Sequence, residues 1–150
     1  MNTTAEPTPT DALHARIQRD FDRSGLMKQL GAQLAQVLPG EVTIVLPYSP
    51  GVTQHLGYFH AGATTAIADT AGGFSAMTLT PDDQTVLSVE FKINFMAPAQ
   101  GESLEAVGRV VRRGRTITVV QIDVYALNAG ERKSVALMQQ TIMNLPLPPA

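Results

Sequence analysis

Gly57-Tyr58-Phe59-His60-Ala61-Gly62-Ala63-Thr64-Thr65-Ala66-Ile67-Ala68-Asp69-Thr70-Ala71-Gly72-Gly73 is the stretch that decides the fold. From about His60 it predicts a helix, small and apolar nearly all round. Ala61, Ala63, Ala66, Ile67, Ala68 and Ala71 leave no clear polar face, so the helix is expected to be buried on most sides. Asp69 interrupts that run. An ionised carboxylate in an apolar setting is costly unless it is paired or hydrogen-bonded. No Lys or Arg lies between Lys28 and Lys92, so no basic neighbour in sequence accounts for it. Asp69 is therefore the first candidate functional residue. The structural alternative is a buried carboxylate hydrogen-bonded to Thr65 or to backbone.

Around this helix, 150 residues at 44% hydrophobic content suffice for one domain with one core. A formal net charge of -2 gives no support for nucleic-acid binding. With no Cys, disulfides, thiolate metal sites and Cys nucleophiles are excluded. No apolar run approaches the roughly 20 residues of a membrane span. Residues 1–10 are polar and Pro-bearing, unlike a signal peptide, so a soluble cytoplasmic protein is expected. The same segment is expected to be disordered, with a single domain over 11–145 and a tail over 146–150.

Upstream, Asp11 is expected to cap a helix whose stripe is Leu13, Ile17 and Phe21. A short helix from Gly25 to about Gly31 follows. Residues 32–37 and 41–47 flank the Pro39-Gly40 turn and read as a hairpin. Downstream, Gly72 and Gly73 are expected to loosen the second half of the central helix. Residues 85–94 then alternate, with Val86, Ser88, Glu90 and Lys92 on one face and Leu87, Val89, Phe91 and Ile93 on the other. Three more strands follow, over 102–112, 116–127 and 132–143, separated by turns at Arg113-Gly114-Arg115 and Asn128-Ala129-Gly130-Glu131. The expected fold is α+β, a curved antiparallel sheet of about six strands wrapped around the central helix. Long open strand edges invite pairing with a second copy.

The run His60-Ala61-Gly62, followed by Ala66-Ile67-Ala68-Asp69-Thr70-Ala71-Gly72, resembles the His-Gly-Gly…Leu-Ala-Asp signature of the PaaI-like acyl-CoA thioesterases of the hotdog-fold superfamily. Ser88 to Ala99 is similar to that family's next strand, and Gly108 to Thr116 to its following hairpin. The resemblance covers about residues 30–143. It implies a hotdog fold, a homodimer or dimer of dimers with a continuous sheet, sites shared between protomers and an acyl-CoA substrate. Carried over by position, Asp69 is the catalytic carboxylate and the Ala61 amide the oxyanion donor. Gln54 and Ser88 fall beside the nucleophilic water or the thioester. Ala61 itself departs from the family's usual Gly, which narrows the approach to that amide.

Thioester hydrolysis needs a base or nucleophile and a donor to the developing oxyanion. The first amides of a helix supply such donors, and Ala61 and Gly62 stand there. Asp69 lies eight residues on, roughly 12 Å along the axis. One protomer's Asp69 does not meet its own helix start, so two chains related by a two-fold axis are needed. His60 either acts directly or only orients the loop. Arg113 and Arg115, with Arg112, are candidates for the phosphates of a coenzyme A substrate, against the plainer reading of a solvated turn. No cofactor and no metal site is expected, since His14, His55 and His60 lack a ligand spacing. Base and nucleophile roles for Asp69 stay open. So do two rivals, a non-hydrolytic acyl-CoA or lipid-binding module and a hotdog acyl-thioester dehydratase.

Overall fold

The computed structural model describes residues 8–148. Helix α1 (Pro9–Asp22) starts from Thr8, not from Asp11. The Thr8 hydroxyl accepts the Asp11 N–H at 3.2 Å, and the Asp11 carboxylate accepts the Thr8 N–H at 3.0 Å. This reciprocal capping box, with Pro9 in the first turn, makes Asp11 the third helical residue. The helix and its cap therefore include Thr8, Pro9 and Thr10, which the sequence placed in a disordered segment; residues 1–7 of that segment lie outside the described residues. Ile17 and Phe21 are buried as their spacing predicts, and the Phe21 ring meets Phe74 at 6.2 Å.

A short α2 (Gly25–Leu30) leads to the hairpin of β1 (Gln33–Leu38) and β2 (Glu41–Pro47). After a loop, α3 (Ala61–Met77) runs unbroken through Gly72 and Gly73. The expected loosening does not occur, because Gly72 is buried against the sheet and its missing side chain is what permits that approach. Four strands follow: β3 (Gln84–Phe95), β4 (Ser103–Arg113), β5 (Ile117–Asn128) and β6 (Glu131–Pro146).

All six strands form one antiparallel sheet in the order β1-β2-β4-β5-β6-β3. Helix α3 lies across its middle, chiefly on β2, β4 and β5. Ile44, Leu46, Ile67, Leu104, Ile122, Met138 and Ile142 are fully buried between the two layers. A Cβ at Gly108 would lie 2.6 Å from the Ala71 carbonyl oxygen, so β4 touches the helix backbone directly. A curved sheet around one buried helix is the hotdog architecture that the sequence predicts.

Strand β3 departs from the expected alternation. Its pairing with β6 shifts between Ser88 and Glu90. Ser88 pairs with Ile142, and Phe91 pairs with Gln140. Ile142 and Gln140 share the helix-facing side of β6, so Ser88 and Phe91 also share that side. Regular alternation would have put them on opposite faces. The bulge at Val89 inserts one unpaired residue and reverses the phase. Its consequence is that Ser88 faces α3.

Candidate active site

The carboxylate of Asp69 sits half-buried on α3 where that helix meets β3 and β6. The Ser88 hydroxyl donates to Asp69 Oδ1 at 2.7 Å. The Gln140 side-chain amide donates to the same oxygen at 2.5 Å and to the Ser88 hydroxyl oxygen at 2.9 Å. Thr65 is not a partner, so the carboxylate is held by two strands instead of by its own helix. One oxygen is thus fixed and the other accepts no hydrogen bond from the described residues.

The carboxylate opens onto a groove of about 520 Å³. Asp69, Thr70, Gly73, Phe74 and Met77 of α3 form one wall, and Gln84 to Ser88 of β3 the other. Helix α1 closes the groove with Arg16, Arg19 and Arg23. Arg16 is committed to the chain reversal before β3. It donates to the carbonyls of Thr80, Pro81 and Gln84 and pairs with Asp82 at 3.1 Å. The sequence suggested both close packing and room for an acyl chain at the glycine pair. The two glycines divide these roles: Gly72 packs on the sheet, and Gly73 faces the open groove with nothing within 4 Å of an added Cβ.

The helix start is a separate cluster in the protomer. His60 is the N-cap of α3, and its Nδ1 accepts the Gly62 N–H at 2.7 Å. That contact orients the ring and consumes the Gly62 donor, leaving Ala61 as the exposed first amide of the helix. It also accounts for glycine at 62, where a Cβ would stand 2.9 Å from His60 Nδ1. The preceding loop is anchored by hydrogen bonds from the His60 amide to the Val52 carbonyl and from the Phe59 amide to the Ala99 carbonyl. Gln54 lies in this loop, with its side-chain oxygen accepting the Leu56 N–H. Neither Gln54 nor the helix start lines the Asp69 groove.

Arg113 and Arg115 lie exposed at the β4–β5 tip, outside the groove. A pairing shift after Val110 sets Arg113 opposite Thr118. That cross-strand row continues through Ile142 to Ser88. Arg113 is thus on the helix-facing side, three strand spacings or about 14 Å from Ser88. The tip is tied down by Asn144, whose amide donates to the carbonyls of Gly114 and Arg115.

Gln140 was missed from the sequence, although a signal existed. Ala136, Met138, Gln140 and Ile142 are alternate residues of β6, all buried. Gln140 is the polar member of that inward row. Among the described residues no group of three or more His, Asp and Glu is placed to hold a metal, and no helix is long and apolar enough to cross a membrane.

The family model of the thioesterase superfamily matches residues 56–132, and the chain belongs to that superfamily. The fold and the family match together identify a thioester hydrolase. A thioesterase family protein from Silicibacter pomeroyi has a solved structure with TM-score 0.87 and 38% identity, covering 90% of this chain and 99% of that one. A Halobacterium salinarum protein that bears an esterase name is 32% identical, over 76% of this chain and 78% of its own. The Escherichia coli PaaI protein, from the phenylacetic acid degradation operon, shares the fold at TM-score 0.80 and 17% identity, over 92% of this chain and 96% of that one.

Proposed function

We propose that the protein is an acyl-CoA thioesterase working as a homodimer or dimer of dimers, with each site completed by two chains. The observation that carries this is the half-held carboxylate: Asp69 Oδ1 is fixed by Ser88 and Gln140, Oδ2 accepts no hydrogen bond from the described residues, and Asp69 lines an open groove. As a base, Oδ2 takes a proton from water, and the hydroxide adds to the thioester carbonyl carbon. The resulting oxyanion is met by the Ala61 amide of the second chain. Collapse breaks the carbon–sulfur bond, and the leaving thiolate recovers the proton from Asp69. As a nucleophile, Oδ2 adds directly and water cleaves the anhydride afterwards. Both routes use the same held geometry.

Gln54 is proposed to reach the same site from the second chain. Two solved variants of a Staphylococcus aureus thioesterase replace a glutamine and a glutamate fifteen residues apart, the separation of Gln54 and Asp69 here. Pairing of two chains is supported by β3, a sheet-edge strand of 12 residues whose Phe91 and Phe95 are 42% and 49% exposed on the helix side. The dehydratase alternative loses ground because the His60 ring is turned to its own helix start by the Gly62 contact.

The test is free-thiol release over a panel of acyl-CoA substrates, with Asp69→Asn as the control. The amide is nearly isosteric with the acid but accepts no proton, so turnover should fall by several orders of magnitude with folding intact. Undiminished thiol release by Asp69→Asn would end the assignment.

A further inference from the structure

Gln140 is fully buried, and its amide makes three contacts with two residues: Asp69 Oδ1, the Asp69 carbonyl at 3.4 Å, and Ser88 Oγ. The orientation of that amide follows from chemistry. An ionised carboxylate oxygen only accepts, so the NH2 end must face Asp69. The cost falls on the other end. Gln140 Oε1 is buried with no donor, the one such side-chain atom among the described residues. An orphaned buried acceptor bears its full desolvation penalty, and its retention calls for an explanation.

The surroundings make room for this orphan. A Cβ at Gly72 would lie 2.0 Å from Gln140 Oε1 and 2.9 Å from Ile122 Cδ1. Glycine at 72 is what lets the amide seat beneath the helix turn that carries Asp69. An apolar side chain at 140 would fill the same space with no orphan, as Met138 and Ile142 do on either side. The sequence thus keeps a locally unfavourable amide where a favourable alternative exists.

We propose that Gln140 is a positioning residue. Its Nε2 pins Asp69 through Oδ1 and holds the Ser88 oxygen, so that the Ser88 proton points at Oδ1 and Oδ2 becomes the reacting oxygen. Ser88 is then a donor to the carboxylate and not itself a nucleophile, since its proton is already given to Oδ1. This assignment rests on the thioesterase reading of Asp69. It predicts that the carboxylate, once released from Oδ1, loses the alignment of Oδ2 with the substrate carbonyl.

The experiment compares wild type, Asp69→Asn, Gln140→Met and Gln140→Glu by steady-state kinetics on an acyl-CoA, by thermal denaturation and by crystallography. Methionine matches the length of glutamine without polar atoms, so the melting temperature should hold or rise. Its kcat should fall roughly 100-fold, the scale of a misplaced reacting group, with KM nearly unchanged. Its crystal structure should show Asp69 rotated away from Ser88. Gln140→Glu donates to Oδ1 only when protonated. Its kcat should therefore rise as pH falls, a limb that wild type lacks.

Wild-type kcat in Gln140→Met, an unmoved Asp69 in its crystal structure, or a wild-type pH profile in Gln140→Glu would each overturn the proposal. A wild-type protein that releases no thiol overturns the thioesterase reading instead. The position of Asp69 in the Gln140→Met crystal structure still decides the proposal in that case.

Discussion

Gly72 and Gln140 are in contact across the helix–sheet boundary, and the contact has no room for one more carbon: a Cβ on Gly72 would stand 2.0 Å from Gln140 Oε1. Next to it, Gly73 has nothing within 4 Å of the same added atom. Two adjacent helical glycines thus differ completely in what they permit. Gly72→Ala should destabilise by about 1–3 kcal/mol through overpacking and should also depress kcat, because the displaced atom belongs to the amide that holds Asp69. Gly73→Ala should stabilise by about 0.5–1 kcal/mol through helix propensity. Thermal denaturation checks the pair, with roughly 2–4 °C per kcal/mol expected at this chain length. Equal shifts in the two variants would refute the packing argument.

The shared site can be tested by complementation. Ala61→Pro deletes the proposed oxyanion donor while keeping a residue suited to the first turn of a helix. His60 has φ -65° and ψ 138°, the extended conformation that a following proline requires. Ala61→Pro alone should lose about 10²–10³ in kcat. Mixed with Asp69→Asn chains and allowed to exchange, it should recover roughly a quarter of wild-type activity. Half of such two-fold dimers are mixed, and each mixed dimer holds one intact site. No recovery after demonstrated subunit exchange would place both groups of a working site on one chain.

The N-terminal capping box gives a pH dependence. Hydrogen bonds from the Thr8 hydroxyl and the Thr8 backbone amide hold the Asp11 carboxyl below its ordinary value. A lowered folded-state value means that the stabilisation is present above the unfolded value of 3.8 and is lost as pH falls through the folded one. Amide exchange in the first turn of α1 should therefore accelerate below about pH 4. Thr8→Ala should exchange fast at neutral pH already. If acidification leaves the first turn of wild type as protected as before, Asp11 does not serve as proposed.

The legible part of this molecule was its local part. A carboxylate in an apolar helix stands out in one dimension, and the Pro39-Gly40 turn and the strand breaks do too. Asp69 and the sheet could be read because each signal lies within a few residues of its cause. The Ser88 contact with Asp69 depended on a bulge at Val89, which no alternation within 84–95 displays. The edge position of β3 depended on a pairing with β6 across some fifty residues. Gln140 was visible as a polar residue in an inward row only once it was known which row faces inward. Thr8 and Asp11 offer the same capping chemistry three residues apart, so composition alone does not choose between them.

The Arg113-Gly114-Arg115 tip is the remaining test, because its place in the sheet permits both a ligand role and none. Arg113 shares a cross-strand row and a face with Ser88, yet both arginines are exposed and outside the groove. An exposed phosphate contact is screened by salt and worth little, so its removal should act on binding and not on chemistry. Replacing Arg113 and Arg115 together by Ala should raise KM for an acyl-CoA several-fold at low ionic strength, with kcat nearly constant. The effect should shrink as salt is added. A short thioester without the nucleotide should be hydrolysed as before, since it has no phosphates to lose. If both thioesters respond alike, or neither does, the tip is a solvated turn held by Asn144, and the nucleotide is bound elsewhere.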